Sequence, residues 1–190
     1  MLISMSSYSQ IINIENMGKS ISGAYYKDIN NLLDPYVGTW LYSNGADTLK
    51  IKLRKVTMTP SINNSYKDLI VGEYQYVANG VEKINTLNNF NTDYPMQYAH
   101  NISGNSILQN HHVPPCNSCN PNEKRLSLSL IEPLSEYGAR LTIRLTNEAG
   151  QPALLISKWI TAPPVITSDV VSNYSGPIIE ISSDFTMIKQ

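Results

Sequence analysis

The sequence predicts an all-β protein in which antiparallel strands close into an up-and-down barrel. Apolar residues alternate with cations over 49–54 (L-K-I-K-L-R), the two-residue period of a strand with one buried face. Asn44-Gly45 stands before this run and can adopt the positive φ angles of a tight hairpin turn. A second strong alternation covers 140–146 (R-L-T-I-R-L-T). A two-sheet β-sandwich is the alternative, because alternation identifies the buried face without deciding whether the sheet closes.

The elements expected along the chain are almost all strands. One short helix is expected between about Ser22 and Leu33, before Asp34-Pro35 ends it. About eight strands follow: two folded back on each other within 34–56, then 69–77, 81–87, 126–130, 140–146, 153–160 and 183–189. Asn, Pro and Gly interrupt 88–124 too often to define an element there. We expect the last strand to pair with the first, which removes exposed edges in closed barrels.

Length and composition indicate the number of domains, the kinds of partner and the location of the protein. The 190 residues suffice for one substantial core, and we expect a single domain over 10–190. The net charge is −1 and only 15% of residues are charged, so nucleic-acid binding is not expected. No run approaches the roughly 20 apolar residues of a membrane-spanning helix. The 12 Tyr against 2 Phe are typical of β-rich proteins with polar, lightly charged surfaces, which favours a location outside the cytoplasm.

The first nine residues resemble the end of a signal peptide. They carry no charge, and Ser7 and Ser9 are placed like the small residues at −3 and −1 of a signal-peptidase site. A basic n-region and a longer apolar run are missing, so the segment is interpreted as a signal-peptide remnant over 1–9. An ordinary frayed terminus is the alternative.

The triplet Gly38-Thr39-Trp40 follows the predicted helix on the first strand. This arrangement resembles the entry to a lipocalin-like barrel, where a G-x-W triplet packs its Trp across the closed end. The resemblance implies a lipocalin-like architecture for the whole chain. The alternative interpretation, which a three-residue match favours, is that Trp40 is an ordinary core aromatic of a β-strand.

Over residues 8–190 the chain also resembles an uncharacterised family, a domain of unknown function, of small secreted proteins from Bacteroidetes-type bacteria. Three segments carry this resemblance: 25–40 (Y-Y-K-D-I-N-N-L-L-D-P-Y-V-G-T-W), 68–82 (D-L-I-V-G-E-Y-Q-Y-V-A-N-G-V-E) and the terminal D-F-T-M-I-K-Q. It implies a bacterial protein that is secreted or lies in the periplasm or at the cell surface. It transfers no site residues.

Two functions from different classes fit such a barrel. The first is a binding protein that holds a small apolar or amphipathic ligand in its interior. The residues expected to line that interior are Trp40, Leu49, Ile51, Leu53, Tyr74, Tyr76, Leu141, Ile143 and Trp159. The second is a structural or interaction protein, filled by its own side chains, that presents loops 88–124 to a macromolecular partner. An internal cavity of roughly 300 Å³ or more would favour the first function.

Enzyme signatures are missing from the sequence. It contains no G-x-S-x-G elbow, no H-E-x-x-H and no glycine-rich phosphate loop. His100 stands alone and is interpreted as a surface polar residue. We therefore predict a protein that is not an enzyme and that needs no cofactor.

The segment His111-His112-Val113-Pro114-Pro115-Cys116-Asn117-Ser118-Cys119 is the most reactive motif of the chain. A C-x-x-C pair with nearby imidazoles can ligate zinc, although the second ligand pair of a typical zinc site is missing. In an oxidising compartment the two thiols would form a Cys116–Cys119 disulfide. Free thiols are the third possibility, and we predict no metal site.

Overall fold

The structure is a computed structural model that describes residues 10–16, 18, 20–133, 137–162 and 178–190. The segment 1–9, interpreted above as a signal-peptide remnant, lies outside these residues. The predicted all-β fold is confirmed, and eight antiparallel strands close into a barrel.

Eleven strands are found in the described part of the chain. They are β1 (Ile11–Asn13), β2 (Tyr25–Lys27), β3 (Gly38–Asn44), β4 (Asp47–Pro60), β5 (Tyr66–Ala78), β6 (Val81–Asn85), β7 (Ile102–Leu108), β8 (Arg125–Ile131), β9 (Gly138–Glu148), β10 (Gln151–Ala162) and β11 (Asp184–Lys189). Single 3₁₀ turns cover Ile14–Asn16, Asp34–Tyr36, Ile62–Asn64, Leu87–Asn89 and Gln97–Ala99.

The barrel runs in the order β3-β4-β5-β7-β8-β9-β10-β11 and returns to β3. Strand β11 closes it, because Ile188 pairs with Leu41 and Lys189 with Trp40. The last strand therefore pairs with the first barrel strand, as predicted. In a closed barrel each of the eight strands pairs with a neighbour on both sides over at least part of its length. The sandwich alternative, which has two separate sheets, is therefore excluded.

The barrel has eight strands, as many as the sequence predicts for the chain, but one of its members differs from the predicted set. The predicted strand over 81–87 is β6, which pairs only with the end of β5 and stays outside the barrel. The barrel strand between β5 and β8 is instead β7, which lies in the region 88–124 where the sequence predicts no element. Gly104 has a φ angle of +152°, and the register of β7 shifts between Ser103 and Ser106. This bulge breaks the two-residue alternation and conceals the strand in the sequence.

The helix predicted between Ser22 and Leu33 is wrong. Residues 25–27 form β2, which pairs in parallel with the start of β5. The following turn folds around Asp28, whose carboxylate accepts hydrogen bonds from the N–H groups of Leu32 (2.8 Å) and Leu33 (3.0 Å). Asp28 N–H is itself bound by the carboxylate of Asp68, at 2.9 Å. These two carboxylates satisfy N–H groups that a helix would otherwise have to satisfy, so the segment lies as turns against the barrel.

The described residues include no helix with the length and apolar character needed to cross a membrane.

Gly72 lies in β5 where the strand packs most closely against β4. A Cβ atom at this position would meet the backbone carbonyl of Lys52 and would come within 2.6 Å of Leu53 Cδ2. Backbone cannot give way cheaply in a paired strand. We expect Gly72→Ala to lower the free energy of unfolding by about 2–3 kcal/mol through overpacking, as measured by urea denaturation.

Gly18→Ala is the matched control for Gly72→Ala. Apart from its two chain neighbours, no atom of the described residues lies within 4 Å of the Cβ position at Gly18, so this substitution should stay within about 0.5 kcal/mol of wild type. Equal stability of the two variants would show that β4 and β5 are less closely packed than described.

Candidate functional site

The barrel interior contains eight of the nine residues predicted to line it. The exposed fractions of these eight residues run from 0% to 2%. They are Trp40, Leu49, Ile51, Leu53, Tyr74, Tyr76, Leu141 and Ile143. All eight belong to one contiguous hydrophobic core.

These side chains fill the interior rather than surround a space. A void large enough for a ligand would leave the groups around it accessible to water, and these eight residues are almost inaccessible. Tyr74 lies in the interior and donates a hydrogen bond from its hydroxyl to Ile131 O, at the end of β8, at 3.2 Å. Burial raises the pKa of this phenol well above its usual range. The aromatic residues expected to contact a ligand therefore contact the protein itself.

The expectation for Trp159 has to be corrected. Trp159 is 54% exposed and lies on the outside of the barrel, in register with Arg140 of β9. The inward positions of β10 are those of Leu154, Ile156 and Lys158, so the next residue must face outward. Trp159 therefore does not line the interior.

The end of the barrel at Trp40 is closed by the chain that precedes β3. The indole N–H of Trp40 donates to Tyr36 O at 2.9 Å, from the 3₁₀ turn that carries Asp34-Pro35. The ammonium of Lys189 in the last strand lies 5.3 Å from the centre of the Trp40 ring, which is a cation–π contact. Trp40 thus joins the first strand, the last strand and the preceding turn.

On the outside, the segment 86–101 covers the faces of β4 and β5. Arg54 of β4 holds this segment at several points. Its guanidinium donates to Phe90 O (3.0 Å), Thr92 O (3.2 Å) and Gln97 Oε1 (3.2 Å). One planar side chain with five donors therefore fixes a stretch of chain that has little regular structure of its own.

His100 is not a surface residue, contrary to the sequence-based interpretation. It is 1% exposed, and its Nδ1 lies 2.7 Å from Glu73 Oε1. Its Nε2 lies 3.1 Å from Arg54 Nη2. Because arginine can only donate, Nε2 must accept, and Nδ1 must carry the proton that is donated to Glu73. The side chains of Glu73, His100 and Arg54 thus form a continuous buried chain of hydrogen bonds.

A polar groove of about 550 Å³ opens beside this network. We call it the outer groove. It is lined by Lys55, Val56, Thr57, Met58, Thr59, Pro60, Asp93, Tyr94, Pro95 and Gln97. Gln97 fixes its second wall, because its amide donates to Asp93 Oδ1 at 2.7 Å and to Tyr94 O at 2.8 Å. The groove is therefore preformed.

The β4 side of the outer groove is a strand edge, because pairing with β3 ends at Leu53. Three features oppose the addition of another strand there. Lys55 brings a charge, the register breaks between Val56 and Thr59, and Pro60 lacks an N–H group. The ammonium of Lys55 is held 2.8 Å from Asp28 and 2.6 Å from Asp34. A molecule in this groove would be bound by side chains rather than by strand pairing.

The loop that carries the cysteines is closed and anchored. Cys116 and Cys119 are joined by a disulfide. Arg125 of β8 lies beneath the loop, 3% exposed, and donates to Pro114 O and Gln109 O, both at 2.8 Å. The loop is thereby fixed to the barrel wall.

A second arginine, Arg144 of β9, holds the end of the same loop. Its Nε and Nη2 donate to the two carboxylate oxygens of Glu123, at 2.6 Å and 3.1 Å. Hydrogen bonding from Arg144 lowers the pKa of Glu123. The geometry is bidentate, the strongest form of an arginine–carboxylate pair.

The rings of His111 and His112 lie edge to face, 4.4 Å between centres. Within the described ranges, no group of three or more His, Cys, Asp or Glu side chains could hold a metal ion. The cysteine sulfurs that a zinc ion would need are bonded to each other. The loop is therefore described as a disulfide-closed surface element.

Together these features define a closed antiparallel β-barrel with a filled interior and an ordered outer face built on 86–124. Comparison with protein families shows that the chain belongs to a family of unknown function, DUF6705, whose family model matches residues 1–190. The expectation of a domain of unknown function is thereby confirmed. Neither the curated proteins nor the solved structures contain a significant match to the chain.

Breaking the buried network should show how much the covering segment depends on it. His100→Ala removes the partner of Glu73 and leaves its carboxylate buried, with the Asn101 N–H at 3.4 Å as its remaining contact. We expect a loss of about 3–5 kcal/mol in the free energy of unfolding, measured by chemical denaturation. The exposed His111→Ala is the matched control and should change stability by less than about 0.5 kcal/mol. A loss below that size at His100 would contradict the network.

The filled interior can be checked by fluorescence, because the chain has only two tryptophans. In Trp159→Phe the remaining Trp40 should emit at short wavelength and be nearly insensitive to acrylamide, since it is 1% exposed. The wild-type signal should contain an additional, strongly quenched part from Trp159. Quenching of Trp40 as efficient as that of Trp159 would mean that water reaches the interior.

Proposed function

We propose that this protein is a non-enzymatic interaction protein that binds a macromolecular partner through the outer face formed by residues 88–124. The observation that carries the proposal is the interior, which is occupied by the protein's own side chains. A small apolar ligand held inside the barrel would have to displace part of that core. The outer face offers a preformed groove, and binding there would displace no part of the core.

The outer groove has the composition of a recognition surface. Exposed methionines flank it, Met58 at 54% and Met96 at 51%. Methionine side chains are flexible and polarisable, and they adapt to the shape of a partner. Asp93, Tyr94 and Gln97 add polar groups that can fix the orientation of what binds. A partner segment with apolar side chains and hydrogen-bonding groups would match this lining.

In the proposed function His100 has no catalytic role, because of the hydrogen bonds that it makes. Its pairing with a carboxylate is the arrangement that activates a general base in many enzymes. Here Nε2, the atom that would remove a proton from a nucleophile, instead accepts from Arg54. The ring is also 1% exposed, so a substrate could not reach it. The network therefore fits a structural role.

Export from a bacterial cell and a lipocalin-like architecture are also parts of the proposal. The disulfide supports export, because cytoplasmic thiols are kept reduced in most organisms. The architecture is supported by Trp40, which links the first strand, the last strand and the turn that precedes them. Fractionation of the host cell by osmotic shock tests the location directly.

Site-specific photocrosslinking tests the proposed function. Met96→p-benzoylphenylalanine places a photoreactive ketone beside the outer groove, in the full chain expressed in its own host. We expect a discrete higher-mass adduct, because Met96 lies between the groove residues Pro95 and Gln97. The same substitution at the exposed Glu148, in the β9–β10 hairpin, is the control and should give no adduct of that mass.

Native mass spectrometry of the protein purified from the same cells distinguishes the proposed function from the competing one, a small ligand held inside the barrel. A small molecule that is released on denaturation, together with no adduct at Met96, would contradict the proposal and favour a ligand inside the barrel. A ligand-free protein that forms the Met96 adduct would support it.

A further inference from the structure

The barrel end opposite Trp40 is closed by residues 178–181, which precede β11 and which we call the strap. Ile179 is 2% exposed and Ile181 is 8% exposed, and both belong to the hydrophobic core. Glu180 between them faces solvent. The strap therefore inserts alternate apolar side chains into the barrel, as an extended chain does.

Side chains of the barrel hold the main chain of the strap. The carboxylate of Glu132 is 4% exposed and accepts from Ile178 N–H at 2.8 Å and from Ile179 N–H at 3.0 Å. The ammonium of Lys158 donates to Ile179 O at 2.6 Å. Two oppositely charged groups thus match the donors and the acceptor of neighbouring peptide groups.

A third contact extends this pattern. The Tyr76 hydroxyl forms a hydrogen bond with the main chain of Glu180. Glu132 follows β8, Lys158 lies on β10 and Tyr76 on β5, so the contacts come from three parts of the barrel. Each is made to the main chain of the strap, which means that they recognise an extended peptide rather than particular side chains.

Lys158 occupies a position where the strand period calls for an apolar residue. It follows Leu154 and Ile156 on the inward face of β10, and burial lowers the pKa of its ammonium. A buried lysine is unfavourable unless its ammonium is hydrogen-bonded. Here the ammonium is bonded to the main-chain carbonyl of Ile179.

We propose that this end of the barrel is a binding site for an extended apolar peptide, and that the strap occupies it until a partner's segment takes its place. The segment would carry apolar side chains at alternate positions, as Ile179 and Ile181 do. The covalent connection gives the strap a high effective concentration, so the site is closed in the isolated protein. This site is separate from the outer groove and does not depend on the function proposed for it.

Hydrogen exchange of the wild-type protein is the first test. A displaceable strap must open without unfolding of the barrel, so the amides of 178–180 should exchange at least about ten-fold faster than the central amides of β4 and β5. Glu132→Ala should accelerate exchange in the strap further and leave β4 and β5 unchanged. Strap amides that exchange only together with β4 and β5 would overturn the proposal.

Peptide binding in trans is the second test. The probe is a fluorescein-labelled hexapeptide Ile-Ile-Glu-Ile-Ser-Ser, the sequence of 178–183. In the full chain with Ile179→Ser and Ile181→Ser, fluorescence anisotropy should show binding at least about ten-fold tighter than in wild type. Adding Glu132→Ala to that variant should remove the binding, whereas adding the exposed Ser182→Ala should not.

A probe with serine in place of all three isoleucines should bind none of these proteins. Equal binding of both probes, or binding unaffected by Glu132→Ala, would contradict the proposal. Should the variant with two serines fail to fold, the hydrogen-exchange result on wild type decides alone.

Discussion

The structure depends most on how strand β5 shares its two edges. One edge pairs with β4 along most of its length, apart from a bulge opposite Asp68. The other edge is divided among three strands: β2 at its start, β7 in its middle and β6 at its end. Only the middle part closes the barrel. The two outer parts hold segments that would otherwise have no hydrogen-bonding partner on the barrel wall.

The side chains of β5 extend this arrangement in two directions. Inward, Tyr74 and Tyr76 fill the core and reach the main chain at Ile131 and Glu180. Outward, Glu73 binds the segment 86–101, and Asp68 at the start of the strand binds the N-terminal segment. One strand therefore determines the packing of the interior and the position of both coverings. A substitution such as Gly72→Ala, which moves β5 against β4, would disturb all of them together.

Buried charges are one energetic cost of this fold. Glu73, Glu132 and Arg125 are each less than 5% exposed. Removing a charged group from water is unfavourable, and hydrogen bonds from well-placed partners offset that cost only when the geometry is good. Each of these groups contacts main-chain atoms of an irregular segment, where no ladder of strand hydrogen bonds is available. Their role is to define where an irregular segment lies.

The sequence predicts individual strands because two-residue alternation reports directly on burial. It does so for β4 and β9, whereas the pairing of the last strand with β3 was expected because it removes exposed sheet edges. It fails for β7, where a bulge interrupts the period, and for the segment before Tyr36, where Asp28 and Asp68 replace helical hydrogen bonds. The prediction is also wrong for Trp159, which lies on the outward positions of its own strand. Glu73 and His100 are 27 residues apart and meet only through the fold, so no local pattern could indicate them.

The two ends of the barrel are closed by different means, and this difference bears on function. At Trp40 the closing turn leads directly into β3 and is bound by the indole of Trp40, and β3 in turn pairs with the last strand. At the other end, the strap is held at 178–180 by side chains and by the burial of two isoleucines. Such contacts can be exchanged for those of another chain while all eight strands stay paired. A filled interior and a binding site at one end are therefore compatible in this barrel, because part of the filling comes from a segment outside the strands.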